Sequence, residues 1–180
     1  MHYAAIKTND VANGPGVRVS LFVSGCTRHC KDCFNKEAWD FSYGTPFTQE
    51  TMDSILRELA PSHIRGLTVL GGEPFEPQNQ PAVLELLRQV RQRYAACSIW
   101  VYTGYTLDGD ILEKKLGPWP VTSALLSYLD VLVDGPFLVE EKDLTLRFRG
   151  SRNQRLIDMP QTLRTGKIVL WADWQSDRRS

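Results

Sequence analysis

The sequence predicts an α/β fold, a partial and open (β/α) barrel with a mostly parallel sheet, and three observations carry that expectation. Short apolar runs alternate with segments of helical period along the 180 residues, the pattern of repeated strand–helix units. The runs are apolar throughout, as in strands covered on both faces. Each run stops at a turn rich in glycine or polar residues, which places all the turns on one rim of the sheet. Four clear units are too few to close an eight-fold barrel, so the sheet is expected to stay open.

In chain order, Asn13-Gly14-Pro15-Gly16 is a turn signal just ahead of the first strand, Val17–Val23, which ends at Ser24-Gly25. Thr48 reads as the N-cap of a helix reaching about Leu59, with Met52, Ile55, Leu56 and Leu59 on one face. A second strand over residues 66–70 stops at Gly71-Gly72-Glu73-Pro74. Pro81 opens a second helix, along which Val83, Leu86, Leu87, Val90 and Tyr94 align. The third strand, Ser98–Tyr102, breaks at Thr103-Gly104-Tyr105. Helical segments are expected over 107–116 and 122–129, split by Gly117-Pro118-Trp119-Pro120. The fourth strand covers 130–133 and ends at Asp134-Gly135. Beyond it, residues 144–149 alternate, 150–154 read as a polar loop, and 167–171 form a candidate last strand paired with 155–157. No repeat or linker divides the chain, so 1–180 is expected to be one domain with 159–180 as a C-terminal extension.

Lys plus Arg equals Asp plus Glu, 21 each, so the net charge is zero. That balance argues against nucleic acid or a membrane surface as a partner. No apolar run approaches the length of a bilayer span, and the N-terminus lacks a signal-peptide pattern. A cytoplasmic protein is expected, in which clustered thiols stay reduced and serve metal or redox chemistry.

Three of the four cysteines fall within eight residues, spaced Cys26-x-x-x-Cys30-x-x-Cys33, directly after the first strand. Thiolates that close repel one another unless they share a cation, and an iron–sulfur cluster fits. The loop offers three ligands to a four-iron cluster, which leaves one iron open to a small molecule. A zinc site with His29 or a distant residue as fourth ligand is the alternative. Zinc sites commonly draw on two separated ligand pairs, however, and no second pair exists here. Cys97 lies at the opposite end of the sheet and reads as a small buried hydrophobe. His2, His29 and His63 show no ligand pattern. Gly71-Gly72 alone is a tight turn, but glycines let a backbone approach a ligand, and these share the rim with the cysteines. Arg147, Arg149, Arg152 and Arg155 are either a solvated basic face or a contact for a partner or phosphate groups.

On these residues the chain resembles the radical S-adenosylmethionine enzymes. Cys26, Cys30 and Cys33 match that superfamily's cysteine motif, and Gly71-Gly72-Glu73-Pro74 matches its second motif. Within it, the chain looks like the branch that activates anaerobic (class III) ribonucleoside-triphosphate reductase. That narrower likeness rests on Asn13-Gly14-Pro15-Gly16, Phe22-Val23-Ser24-Gly25-Cys26 and Cys33-Phe34-Asn35-Lys36. It also rests on Trp100-Val101-Tyr102-Thr103-Gly104-Tyr105, Val131-Leu132-Val133-Asp134-Gly135 and Phe148-Arg149-Gly150-Ser151-Arg152-Asn153-Gln154. Asp32 departs from the superfamily, where an aromatic residue often precedes the third cysteine.

The resemblance implies a [4Fe–4S] cluster on Cys26, Cys30 and Cys33, with S-adenosylmethionine on its open iron. The Gly71-Gly72-Glu73 backbone would receive the methionine amino group, and Asp32, Cys33 and Phe34 would border the adenine. A flavodoxin-like donor would supply the electron, and a 5′-deoxyadenosyl radical would take hydrogen from a glycine of the reductase. The alternatives are an activase for another glycyl-radical enzyme such as pyruvate formate-lyase, a deazaguanine-forming synthase, or a non-catalytic metal-binding or electron-transfer module. The Arg149-Gly150-Ser151 and Asn153-Gln154 pattern favours the reductase as partner.

Overall fold

The computed structural model describes residues 1–33 and 35–172. The apolar runs become the middle of a seven-stranded open sheet: β1 (His2–Asp10), β2 (Val17–Val23), β3 (Thr45–Pro46), β4 (Ile64–Gly71), β5 (Ser98–Tyr102), β6 (Val131–Asp134) and β7 (Arg155–Asp158). Their order is β3-β1-β2-β4-β5-β6-β7. Pairings β2–β4, β4–β5 and β5–β6 are parallel, whereas β1–β2, β1–β3 and β6–β7 are antiparallel. The sheet is therefore partly parallel, which corrects the expectation of a mostly parallel one. The cause is the length and content of the connections. The turn at 11–16 is too short for a crossover, and the 135–154 loop carries no α-helix over the sheet, so each returns antiparallel.

Helices α1 (Gln49–Glu58), α2 (Gln80–Arg93), α3 (Trp119–Ser127) and α4 (Met159–Thr165) complete the fold. Thr48 caps α1 reciprocally with Thr51, as its position predicts. Met52, Ile55 and Leu56 of α1 and Val83, Leu86, Leu87 and Val90 of α2 bury their stripes. They meet Val19, Leu21, Val23, Leu67, Val69, Ile99, Val101 and Leu132 in the main core. The alternate strand residues face the other way. There Trp100, Val131, Val133 and Leu156 form a second cluster, against which Tyr102, Phe148 and Trp171 pack.

Other boundaries differ from expectation. Of 107–116, only Leu107–Ile111 is helical, and it is a widened π-type turn in which Leu112 N–H reaches Leu107 O at 2.8 Å. Pro120 does not break the chain; it sits in the first turn of α3, where its missing N–H has no intrahelical partner to lose. Residues 144–149 form turns, not a strand. The 167–171 stretch returns to β7 only through the bridge of Ile157 with Leu170.

At the amino ends of the parallel strands, Arg18 is wholly buried. Its guanidinium donates to Thr68 Oγ1 (2.7 Å), Ser98 Oγ (2.8 Å), Leu67 O (2.8 Å), Ser98 O (3.0 Å) and Pro15 O (3.4 Å). Desolvation lowers its pKa to about 10. Thr68 in turn donates to Asn13 O at 2.8 Å, tying down the 11–16 turn, where Gly14 and Gly16 take φ of 135° and 75°. No helix among the described residues is long and apolar enough to cross a membrane.

Candidate metal and cofactor site

The carboxyl end of β2 leads straight into the cysteine loop, and the backbone closes that loop on itself. Gly25 N–H donates to Ala38 O at 2.8 Å, and Cys26 N–H to Trp39 O at 3.2 Å. The turn after β4 docks against the same strand end: Gly72 N–H reaches Val23 O at 2.7 Å and Glu73 N–H reaches Gly25 O at 2.9 Å. A side chain has no room there. A Cβ on Gly72 would lie 2.6 Å from Gly25 O, and one on Gly71, whose φ is 109°, would lie 2.8 Å from Phe22 Cα. These glycines thus serve the approach of one loop to another.

Cys26, Cys30, Cys33, Gly71, Gly72 and Glu73 line one cleft, together with Thr103, Gly104 and Gly135 from the ends of β5 and β6. The shared rim expected from the sequence is present. His29 (φ 46°) and Asp32 (φ 58°) take left-handed backbone conformations that bend the loop, and Cys33 N–H closes a turn on Cys30 O at 3.2 Å. All three thiols are free. Burial pushes the Cys26 thiol up to about 11, with the nearby Glu73 and Glu76 acting in the same direction. Such a thiol ionises when a cation compensates the charge.

Among the described residues no three His, Cys, Asp or Glu side chains converge on one point as a single metal ion requires. A four-iron cluster takes each cysteine at a different iron, so separate thiols around one cleft fit that group. Of the fourth ligands that a zinc site could use, His29 has its ring stacked on Trp39 at 4.5 Å and 30°. Asp32 stands outside the cleft, in a neighbouring groove with Phe137, Lys142 and Arg149. Phe34 lies outside the described residues.

Glu73 is 1% exposed. Its Oε1 accepts from Phe75 N–H (2.9 Å) and Thr103 Oγ1 (2.8 Å), and its Oε2 from Gly104 N–H (2.7 Å). Burial raises its pKa to about 7 against these three donors. Asn79, at the start of α2, donates to Ser24 O and Glu73 O at 3.0 Å each, while Glu76 accepts from Thr27 N–H (2.8 Å) and Oγ1 (2.6 Å). One turn thereby holds the cysteine loop, the glycine turn and β5 together.

Arg28, Trp39 and Phe137 also line the cleft and had no site signal of their own, whereas Tyr102 and Gln154, which line it too, entered only through the family motifs. Gln154 braces the wall by donating to Gly135 O (3.1 Å) and accepting from Gly150 N–H (2.9 Å). The arginine series divides between half-buried Arg149 and Arg155 and exposed Arg147 and Arg152. Arg155 pairs with Asp134 (2.5 Å) and Asp108 (2.7 Å), Arg152 pairs with Asp143 (3.0 Å), and Arg149 donates to Gln154 O (3.0 Å). Arg147 lies 4.9 Å over the Phe148 ring. Cys97 is buried at the far end of the sheet, as expected.

Residues 12–157 match the family described as a 4Fe-4S single cluster domain. The chain is 44% identical over 156 residues to the anaerobic ribonucleoside-triphosphate reductase-activating protein of Vibrio cholerae, covering 86% of this chain and 96% of that protein. It is 41% and 40% identical to the proteins of the same name from Haemophilus influenzae and Escherichia coli, with the same coverage. The chain belongs to the 4Fe-4S single cluster domain family and, within it, to the anaerobic ribonucleoside-triphosphate reductase-activating proteins.

Proposed function

We propose that this protein activates an anaerobic ribonucleoside-triphosphate reductase by generating its glycyl radical, with S-adenosylmethionine as the radical source. The observation that carries the reading is the shared cleft: three free thiols and the Gly71-Gly72-Glu73 turn meet at the carboxyl ends of parallel strands. Cys26, Cys30 and Cys33 would hold a [4Fe–4S] cluster with one iron left for the cofactor. Held by these cysteines and reduced by one electron from an external donor, such a cluster would supply reductive cleavage of the sulfonium, which would give methionine and a 5′-deoxyadenosyl radical able to take a hydrogen atom from a glycine Cα of the reductase.

The chain's own residues orient and enclose. A methionine ammonium is a donor and needs acceptors, and Glu73 presents a buried carboxylate beside the cleft. The N–H groups of Gly72 and Glu73 are engaged within the rim, so they do not compete for that role. The chain at Asp32, Cys33 and Phe34 would border the adenine through its backbone, with Cys33 in the cleft and Asp32 lining the neighbouring groove. Trp39 and Phe137 add apolar walls that keep water from a reactive primary radical. We read the open sheet as the partial barrel of the radical S-adenosylmethionine fold, with residues 1–180 acting as one domain. Its unclosed edges suit a protein loop as substrate. A flavodoxin-like donor and a cytoplasmic setting complete the reading, in keeping with free thiols.

The test is anaerobic reconstitution with the reductase. Reduced protein should release 5′-deoxyadenosine and produce a glycyl radical signal by electron paramagnetic resonance. A cluster already fully ligated by protein, with Cys97 or a histidine in the last position, would overturn the proposal.

A further inference from the structure

Apart from the three thiols, Arg28 and Glu73 are the only charged side chains among the described residues lining the cleft. They flank Gly104: a Cβ placed there would lie 3.6 Å from Arg28 Nε and 3.6 Å from Glu73 Oε2. The two charges are not equally provided for. Glu73 already accepts three hydrogen bonds. The Arg28 guanidinium lies over the Tyr105 ring at 4.8 Å, and its Nε is buried with no hydrogen-bond partner.

A buried guanidinium N–H without an acceptor is a deficit that a ligand can remove. The neighbouring carboxylates do not fill it. The field of Arg28 reaches Asp110, but that carboxylate accepts from Thr106 N–H and Oγ1 at 2.8 Å each. The contact over Tyr105, whose own N–H is held by Thr103 Oγ1 at 3.1 Å, helps hold the guanidinium in place. A fixed fork of N–H groups suits a carboxylate. One anion and one cation on either side of a single glycine complement an ammonium and a carboxylate on one α-carbon.

We propose that Arg28 binds the carboxylate of the amino-acid moiety of S-adenosylmethionine, opposite Glu73, so that the cleft selects an α-amino acid zwitterion. This inference rests on the proposed function, because it takes S-adenosylmethionine to be the occupant. A carboxylate has two oxygens, so ligation of a metal by one leaves an acceptor for Arg28.

The experiment is anaerobic calorimetric titration of the cluster-loaded, unreduced protein with S-adenosylmethionine and with its decarboxylated analogue, which keeps the ammonium and sulfonium. The wild-type protein should prefer S-adenosylmethionine by roughly tenfold or more, the scale of a hydrogen-bonded charge pair. Arg28→Gln should weaken S-adenosylmethionine alone and bring the two affinities together, while Arg28→Lys should keep part of the preference. Tyr105→Leu, which frees the guanidinium without removing it, should cost severalfold in the same ligand only. The visible cluster spectrum of each variant checks that the loop is intact. An Arg28→Gln protein that loads its cluster and retains the full preference, or that loses both ligands equally, overturns the assignment and leaves the proposed function standing. Failure of the wild-type protein to bind S-adenosylmethionine at all would remove the proposed function along with it.

Discussion

The two ends of the parallel strands each bury a charge outside any salt bridge, and they provide for it in opposite ways. At the amino ends, Arg18 has five hydrogen bonds to carbonyls and hydroxyls, one for each of its five N–H groups. Nothing on it is left to offer a ligand. At the carboxyl ends, Glu73 accepts three bonds, fewer than the roughly four a carboxylate can take, and it borders a cleft. Its neighbour Arg28 has a buried N–H with no partner at all. Burial of charge alone therefore does not distinguish a site from a brace. Unfilled hydrogen-bonding capacity facing a cavity does, and among the described residues Arg28 shows it at the carboxyl end.

The largest effect expected from this contrast is at the thiols. Single changes of Cys26, Cys30 or Cys33 to Ala should abolish both the visible iron–sulfur absorption after reconstitution and radical formation in the reductase. Cys97→Ala, at the braced end, should leave both intact. Cluster loading that survived any of the three changes would mean that the rim is not the metal-holding end.

Next in size is Arg18→Met. Met fills the space but leaves Leu67 O, Ser98 O and the hydroxyls of Thr68 and Ser98 without their donor, with Leu67 and Thr68 fully buried and Ser98 half-buried. We expect a loss of about 4 kcal/mol in urea unfolding, from several unsatisfied buried groups at once. Cluster loading below the unfolding midpoint should be unchanged. A parallel loss of cluster affinity would show that the two ends are coupled.

The contrast between the ends also explains what the sequence made legible. The apolar runs of β2, β4, β5 and β6 were readable because both faces are covered, so composition alone marks them. β1 was not. Register shifts between Tyr3 and Ala5 and between Lys7 and Asp10 break the two-residue period, leaving Tyr3 and Ile6, which pack on the core, three apart. The cysteine spacing and the Gly71-Gly72-Glu73-Pro74 turn were readable because local spacing carries their chemistry. Arg28 and Trp39 were not, and Gln154 was readable as part of a motif but not as a wall of the cleft, because their places depend on long-range contacts: the Tyr105 face, the Cys26–Trp39 backbone bond and the Gly135 carbonyl. Arg155 was legible as charge but not as a brace, since its acidic partners Asp108 and Asp134 are far away in sequence.

The mildest effect concerns the Glu73 proton. Burial raises this carboxyl from 4.5 to about 7. Between those values the native chain keeps a proton that the unfolded chain has released, so stability falls as pH rises through the window and levels off above it. The span corresponds to about 3 kcal/mol. Glu73→Gln removes the slope. The difference in unfolding free energy between variant and wild type should therefore move by about 3 kcal/mol in favour of Gln as pH rises from about 4 to about 8. A constant offset is expected as well, because one amide oxygen cannot serve Phe75, Thr103 and Gly104 together. The slope is the readout, not the offset. A ligand ammonium placed against Glu73 lowers its pKa, so saturating S-adenosylmethionine should flatten the wild-type curve toward that of the variant. A difference that stayed constant with pH would mean that Glu73 is ionised throughout. It would then be as well provided for as Arg18, and the distinction between the two ends would rest on Arg28 alone.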